Sequence, residues 1–242
     1  MKKISMLIIC VLFITTSIFA QTTKAELEKA QKAGKSIFLV VTDKLAKDTE
    51  ALLKIATDAS KKDKNTTVIK LDRDDKTNAD LISKFRLAGA PLPLVLVIAS
   101  NGVVSGGLNA NEATVEKLVS YIPTKSQAEV LFGFENGKAA FIICGKKSAK
   151  DKATLEAECK KAATAIGGKV NQVVIDVDSK EEANFLALLK PDNTKTTVLI
   201  FNAKGQYAGT LENTAKSDDI VKAVNKKVGG CAPGACGSGK KC

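Results

Sequence analysis

The sequence predicts an α/β protein built from two tandem copies of one unit, each a mixed four-stranded sheet with helices on both faces. Two observations predict this fold. The chain resembles itself when it is shifted by about 103 residues, and short β-branched runs alternate with longer helical stripes in both halves. Its 242 residues are 45% apolar and 26% charged, a composition that suits two small globular domains with separate cores.

The internal repeat aligns apolar runs and turn glycines of the two halves. Residues 38–41 match residues 141–144, and residues 95–98 match residues 198–201. Gly102 and Gly205 follow the second pair of runs at the same distance. We therefore expect two copies of one domain, with the bounds 21–123 and 124–228.

The elements of the first copy follow from these patterns. We predict helices and strands, in chain order, at 24–33 (helix), 36–42 (strand), 48–62 (helix), 67–72 (strand), 77–86 (helix), 94–99 (strand), 103–108 (strand) and 112–122 (helix). Asn101-Gly102 supplies the positive φ angles of a tight hairpin, so the last two strands should be antiparallel neighbours. The two earlier strands are joined through a helix and should be parallel.

The second copy repeats the same order. We predict 126–133 (helix), 139–144 (strand), 150–166 (helix), 171–177 (strand), 181–189 (helix), 196–202 (strand), 206–211 (strand) and 217–227 (helix), with a turn at Lys204-Gly205.

This order of elements, with Pro93 directly before a buried strand and Gly102 nine residues later in a hairpin, resembles the thioredoxin fold. The resemblance covers residues 24–228, twice, and is most specific at residues 85–97. It implies that Pro93 matches the cis-proline that the family places beside its active-site cysteines. It also implies that Leu92 and Pro93 line a peptide-binding groove. The second copy has Thr196 where the proline should be.

The redox dithiol of the family is missing from both copies. Its chemistry needs a Cys-x-x-Cys pair at the amino end of the helix after the first strand, where the helix dipole stabilises a thiolate. Residues 42–48 and 145–150 hold no cysteine. Histidine is absent from the whole chain, which excludes His-based triads. The sequence therefore favours a non-catalytic protein, with no catalytic residue in either domain.

Two further cysteines fall within predicted elements of the second copy. Cys144 ends a strand that should be central, and Cys159 lies on a core-facing helical stripe with Leu155, Ala162 and Ile166. We expect both to be small buried apolar residues rather than reactive thiols. A disulfide between them is disfavoured by the distance between packed elements.

The last predicted segment, residues 229–242, is rich in glycine and holds Cys231, Cys236 and Cys242. Three thiolates at these spacings suit a soft cation such as zinc or copper(I), held by Cys231, Cys236 and Cys242. Two alternatives remain. The same three cysteines could form a disulfide or carry out thiol–disulfide exchange, which would make the protein an oxidoreductase, or the segment could be an inert end.

Residues 1–20 read as a secretory signal peptide, with Lys2 and Lys3 before an apolar stretch and Ala20 before a polar one. The alternative is an uncleaved anchor. Cleavage predicts a bacterial periplasmic or secreted protein without a stable membrane span. The mature chain would carry five cysteines in an oxidising compartment, since Cys10 is removed with the signal.

The net charge of +11 comes almost entirely from lysine, because Arg73 and Arg86 are the only arginines. The lack of arginine and of tryptophan disfavours nucleic-acid binding. We therefore expect an exported tandem thioredoxin-like protein that acts as a scaffold, with an extracytoplasmic protein or peptide as its partner.

Overall fold

A computed structural model describes residues 22–226 of the chain. The first unit, residues 23–120, contains α1 (Thr23–Lys32), β1 (Ser36–Thr42), α2 (Thr49–Lys62), β2 (Thr66–Asp72), a 3-10 turn (Lys76–Asn78), α3 (Ala79–Lys84), β3 (Leu94–Ile98), β4 (Val104–Asn109) and α4 (Val115–Ser120). The second unit, residues 125–225, contains α5 (Lys125–Glu135), β5 (Ala139–Gly145), α6 (Lys152–Ala165), β6 (Val170–Asp176), α7 (Ala183–Leu189), β7 (Thr197–Phe201), β8 (Tyr207–Glu212) and α8 (Ser217–Asn225).

Each unit has one mixed four-stranded sheet, and the strand orders are β2-β1-β3-β4 and β6-β5-β7-β8. In both sheets the first pair of strands is parallel and the other two pairs are antiparallel. The predicted fold class and the predicted strand directions are therefore confirmed. Residues 37–41 of the central strand β1 are fully buried, as expected for a strand covered on both faces.

Helices pack on both faces of each sheet, so each unit has two apolar layers. In the first unit α1 and α3 cover one face, with Leu27, Leu39, Leu71 and Leu81. The other face is covered by α2 and α4, with Phe38, Leu52, Leu108 and Leu118. The second unit repeats this arrangement with α5 and α7 around Val130, Ile142, Ile175 and Phe185, and with α6 and α8 around Phe141, Leu155, Val198 and Ile220.

The two predicted turns have the same hydrogen bonds in both units. Gly102 has φ +90° and its N–H donates to the Ala99 carbonyl, and Gly205 has φ +73° and its N–H donates to the Asn202 carbonyl. Because glycine has no Cβ, it adopts positive φ at little cost. These glycines close the antiparallel hairpins β3–β4 and β7–β8 at equivalent positions.

Two helix predictions differ from the structure. The helix predicted at 77–86 is a 3-10 turn followed by the short α3, because the Asp75 carboxylate accepts the Thr77 N–H and starts the turn early. It also ends early, since Arg86 has φ +55° and cannot continue a helix. The helix predicted at 112–122 begins only at Val115, because the Thr114 hydroxyl caps it by accepting the Lys117 N–H.

The turn of the first hairpin also contacts the second unit. Ala99 and Val103 form a small buried cluster with Ala128 of α5. The Asn101 side-chain amide donates to the Ala128 carbonyl at 2.8 Å, while the Asn101 side-chain oxygen accepts the Val103 N–H. The hairpin end therefore joins the two units.

Candidate functional site

The predicted peptide-binding residues lie at one edge of the first sheet, where β1 ends and the loop before β3 begins. We call residues 42–48 together with residues 85–93 the Leu92 edge. The Leu92–Pro93 peptide bond is cis. Pro93 is buried, and Leu92 is half-buried against the apolar layer of α1 and α3. The two residues are thus adjacent to the end of β1, and their role in peptide binding stays a prediction.

Asp43 and Arg73 form an ion pair that fixes this edge. The Arg73 guanidinium donates to the Asp43 carboxylate at 2.5 Å, and 24% and 11% of the two side chains are exposed. The hydrogen bond from Arg73 and, more weakly, the backbone N–H groups of Leu45 and Ala46 lower the pKa of Asp43, against the opposing effect of desolvation. Asp43 is therefore an anion at neutral pH.

The same guanidinium also holds the loop before Pro93. Its second nitrogen donates to the carbonyls of Ala90 at 2.8 Å and Leu87 at 3.2 Å. Arg73 thus connects the end of β1 to the proline loop through three hydrogen bonds from one planar fork, a geometry that lysine lacks. Sequence analysis missed this role. The available signal was that Arg73 is one of two arginines among 37 basic residues.

The Leu92 edge leaves one backbone position and one apolar side chain free. Neither the N–H nor the C=O of Leu92 has a hydrogen-bond partner among residues 22–226. Leu45, in the turn that Asp43 organises, is 79% exposed. An exposed leucine and an unpaired backbone N–H and C=O at one edge of a sheet are features that an extended chain can bind.

The equivalent edge of the second unit is closed by polar side chains. We call residues 145–151 together with residues 190–196 the Thr196 edge. Thr196 is 3% exposed, and its hydroxyl donates to the Asp151 carboxylate at 2.7 Å. The Asn213 amide donates to the other oxygen of Asp151. These two hydrogen bonds lower the pKa of Asp151.

The buried Thr196 side chain requires glycine at position 145, the last residue of β5. A Cβ on Gly145 would lie 2.9 Å from the Thr196 hydroxyl oxygen. The position of the family's proline therefore holds a buried threonine that belongs to a polar network. The cavity beside it, about 350 Å³, is lined by lysines and acids such as Lys146, Lys195 and Glu212.

Both described cysteines are buried, as predicted. Cys144 and Cys159 are 0% exposed and unpaired. Burial raises the pKa of each thiol to about 12. Cys144 lies in the layer under α5 and α7, whereas Cys159 lies in the layer under α6, on the other face of the sheet. A disulfide between them is therefore excluded, and neither thiol is placed for exchange chemistry.

The remaining predicted sites fall outside residues 22–226. These are the signal peptide and the tail cysteines Cys231, Cys236 and Cys242. Within the described range no group of three or more metal-ligating side chains converges. No helix of that range has the length and apolar character needed to cross a membrane.

Three comparisons with known proteins gave matches only among solved structures. A scan against protein-family models and a search among curated proteins both found no match. Among solved structures, the first two thioredoxin domains of Saccharomyces cerevisiae Eps1p are 13% identical; 85% of this chain is aligned with 96% of that chain at a TM-score of 0.31. The NTD_N/C domain of alkylhydroperoxide reductase AhpF from Enterococcus faecalis is 15% identical, over 83% of this chain and 98% of that chain, with a TM-score of 0.29.

A third solved structure matches only part of the chain. Chloroplastic thioredoxin z is 21% identical over 42% of this chain and 87% of that chain, with a TM-score of 0.33. The strand order and directions described above are those of the thioredoxin fold, with helices on both faces. Each unit has a thioredoxin-like fold. The chain therefore consists of two tandem thioredoxin-like domains whose described residues include no exposed thiol.

Proposed function

We propose that the chain is an exported, non-catalytic protein that holds extended segments of extracytoplasmic proteins or peptides. The observation that carries the proposal is the Leu92 edge, where the N–H and C=O of Leu92 have no hydrogen-bond partner among residues 22–226 and where residues 42–48 and 85–93 include no cysteine. An extended segment binds through such backbone groups, and binding does not require a reactive residue.

Leu45 supplies the apolar contact at this edge. Asp43 accepts the Leu45 N–H at 3.0 Å, and Arg73 ties Asp43 to the carbonyls of the proline loop. The turn and the loop are thus held together before a ligand arrives. Binding to a preformed site avoids the entropy cost of ordering it.

The proposal is tested by titrating S-alkylated insulin B chain, an unfolded polypeptide without thiols, into the ¹⁵N-labelled protein. We expect amide shifts at residues 44–46 and 90–94. Leu45→Lys should weaken binding about tenfold, because burial of a leucine side chain contributes about 1.5 kcal/mol or more. Leu45→Met keeps the apolar contact and serves as the matched control. Absence of shifts at the Leu92 edge would contradict the proposal.

We also propose that Cys231, Cys236 and Cys242 bind zinc or copper(I). Three thiols within twelve residues, in a segment rich in glycine, support this part of the proposal. Protein reduced and purified without oxygen should take up one equivalent of zinc, and replacing the three cysteines by serine should abolish uptake. If the serine variant takes up no zinc and its melting temperature is unchanged, the lost uptake is due to the three missing thiols and not to unfolding.

Thiol–disulfide exchange by the same cysteines is the second candidate. Lys240 and Lys241 precede Cys242, and neighbouring cations favour the thiolate that attacks a disulfide. The attack would form a mixed disulfide and release a thiolate of the substrate. Insulin reduction that disappears when residues 229–242 are deleted would support exchange; reduction that survives the deletion would refute it.

Export is tested by the mass of the mature protein. Cleavage after Ala20 leaves Gln21 as the first residue. A mass that includes residues 1–20 in protein recovered from the membrane fraction would contradict export as a cleaved protein.

A further inference from the structure

The second domain has an open apolar groove between α5 and α7, on the face of its sheet that α6 and α8 do not cover. The groove has a volume of about 740 Å³. Its floor is formed by Ile142, Leu199 and Phe201, and its walls include Phe134 of α5 and Leu188 of α7. We call these residues, with Tyr207 of β8, the apolar groove.

Aromatic rings extend from one wall across the floor to β8. The ring centroids of Phe134 and Phe201 are 6.0 Å apart, and those of Phe201 and Tyr207 are 5.6 Å apart. At the other wall Leu188 is 66% exposed. A leucine this exposed beside a row of aromatic side chains leaves apolar area in water that a ligand would bury.

The first domain shows that the fold does not need apolar residues here. The internal repeat pairs Leu131 with Glu28, Phe134 with Gln31 and, after the one-residue insertion, Leu188 with Lys84. Glu28 and Lys84 are exposed. Residues of the buried layer remain apolar in both domains, as in the pairs Leu39 and Ile142, and Leu81 and Phe185. The apolar side chains at the walls of the groove, Leu131, Phe134 and Leu188, are thus specific to the second domain, whereas the floor is apolar in both domains.

The volume of the groove and the edge strand beside it indicate which kind of ligand can bind there. Its volume is in the range of pockets that hold a small ligand or a few side chains. Among residues 22–226, β8 is an edge strand whose only neighbour is β7, and its residues Tyr207 and Thr210 line the groove. The outer side of an edge strand presents unpaired N–H and C=O groups. An extended chain can place side chains in the groove and pair its backbone with β8 at the same time.

The charges at the rim are balanced. Lys190 and Asp192 are the charged residues among those that line the groove. One cation and one anion give no preference for a charged ligand, so a neutral apolar segment is the matching partner.

We propose that the apolar groove binds an extended peptide segment with bulky aliphatic or aromatic side chains, which pairs with the outer edge of β8 and places side chains between α5 and α7. The site is in the other domain from the Leu92 edge and does not depend on it.

The probe for this site is the neutral peptide acetyl-SLFLVS-amide, titrated into the ¹⁵N-labelled full chain. We expect amide shifts in α5, α7 and β8. Leu188→Lys, which copies the first domain, should weaken binding about tenfold because the leucine contact is lost. Leu188 is mostly exposed, so an unchanged melting temperature will show that the variant folds. Leu45→Lys makes the same change at the Leu92 edge and should leave the peptide-induced shifts in α5, α7 and β8 unchanged.

A second peptide tests the pairing with β8. N-methylation of alternate residues removes the donors that would pair with an edge strand, so this peptide should bind at least about tenfold more weakly. Equal binding of the methylated peptide would overturn the pairing with β8.

Three other results would overturn the proposal. They are peptide shifts confined to the Leu92 edge, binding of decanoate but not of the peptide, and a dimer of the chain that Leu188→Lys dissociates. Loss of the Leu45 effect on insulin B chain, with the Leu188 effect retained, would refute the proposed function at the Leu92 edge but not this site.

Discussion

The two domains share one fold but differ at one edge of the sheet and in the side chains around the apolar groove. The first domain keeps the cis-proline loop, and Arg73 holds that loop to the end of β1. The second replaces the proline by Thr196 and closes the edge with hydrogen bonds to Asp151. The walls of the apolar groove also differ. The second domain has Phe134 and Leu188 there, whereas the first domain has Gln31 and Lys84 at the matching positions.

The core residues and the surface residues of this duplicated domain vary separately. The fold is maintained by apolar residues in two layers, which both copies retain. Surface positions on the same elements are free to become polar or apolar, so each copy offers a different surface. We expect binding to depend on the Leu92 edge in one domain and on the apolar groove in the other.

The largest expected effect tests whether the two cores are independent. Phe38 and Phe141 match in the repeat and both are fully buried. Replacing either by alanine should lower the free energy of unfolding by about 3–5 kcal/mol, through lost burial and the cavity left behind. Hydrogen exchange should show lost protection in the mutated domain alone. Equal loss in both domains for Phe141→Ala would mean one shared cooperative core.

A smaller effect concerns the buried thiols of the second domain. In a variant with the three tail cysteines replaced by serine, neither Cys144 nor Cys159 should react with iodoacetamide at pH 8 until the protein unfolds. The reason is that burial raises both pKa values to about 12 and blocks access. Mass spectrometry counts the alkylated residues. Rapid alkylation of the folded protein would contradict the buried placement.

The same thiols predict a loss of stability at alkaline pH. A folded-state pKa raised above the ordinary thiol value of about 8.5 favours the folded state below that value. The contribution is lost progressively as the pH rises from about 8.5 towards 12. Cys144→Val, which copies Val41 of the first domain, should reduce this slope in thermal melts between pH 8 and 10. An unchanged slope would assign the effect to other groups.

The smallest expected effect compares the two edges. Asp43→Asn leaves the Arg73 guanidinium without its counter-charge, whereas Asp151→Asn keeps an acceptor for Thr196. We therefore expect Asp43→Asn to lower the melting temperature at pH 7 more than Asp151→Asn does.

The pH dependence of the two variants provides the control. Both carboxyl groups have a lowered pKa, so their contribution is present above the ordinary value of about 3.9 and is lost as the pH falls below it. Each variant should thus differ less from the parent at pH 3 than at pH 7. A larger loss at pH 7 for Asp151→Asn would show that the network of Asp151 with Thr196 and Asn213 stabilises the fold more than the Asp43–Arg73 pair does.

Most of the fold could be predicted from the sequence, because strands and helices are set by local patterns. The strand predicted at 36–42 coincides with β1, since its apolar run is bounded by a polar residue at each end. Because the two halves of the sequence repeat, the elements predicted for the first domain also predicted those of the second. The bounds of α3 and α4 were less exact, because Asp75 and Thr114 start their turns through single side-chain hydrogen bonds.

The site could be predicted only in part. Leu92 and Pro93 came from a contiguous motif, whereas Arg73 reaches Asp43 across 30 residues of sequence and Ala90 across 17. The apolar groove combines residues of α5, α7 and β8, which are separate segments of the sequence. Such sites depend on which elements meet in space, and local patterns do not contain that information.

The hairpin that joins the two domains has no chemical counterpart in the second domain. The joint uses Ala99, Asn101 and Val103, and the repeat places Asn202, Lys204 and Gln206 at the matching positions. The second hairpin thus ends in polar side chains. It has neither the apolar contact that Ala99 and Val103 make nor an asparagine amide at the position of Asn101, so the chemistry of the joint belongs to the first hairpin alone.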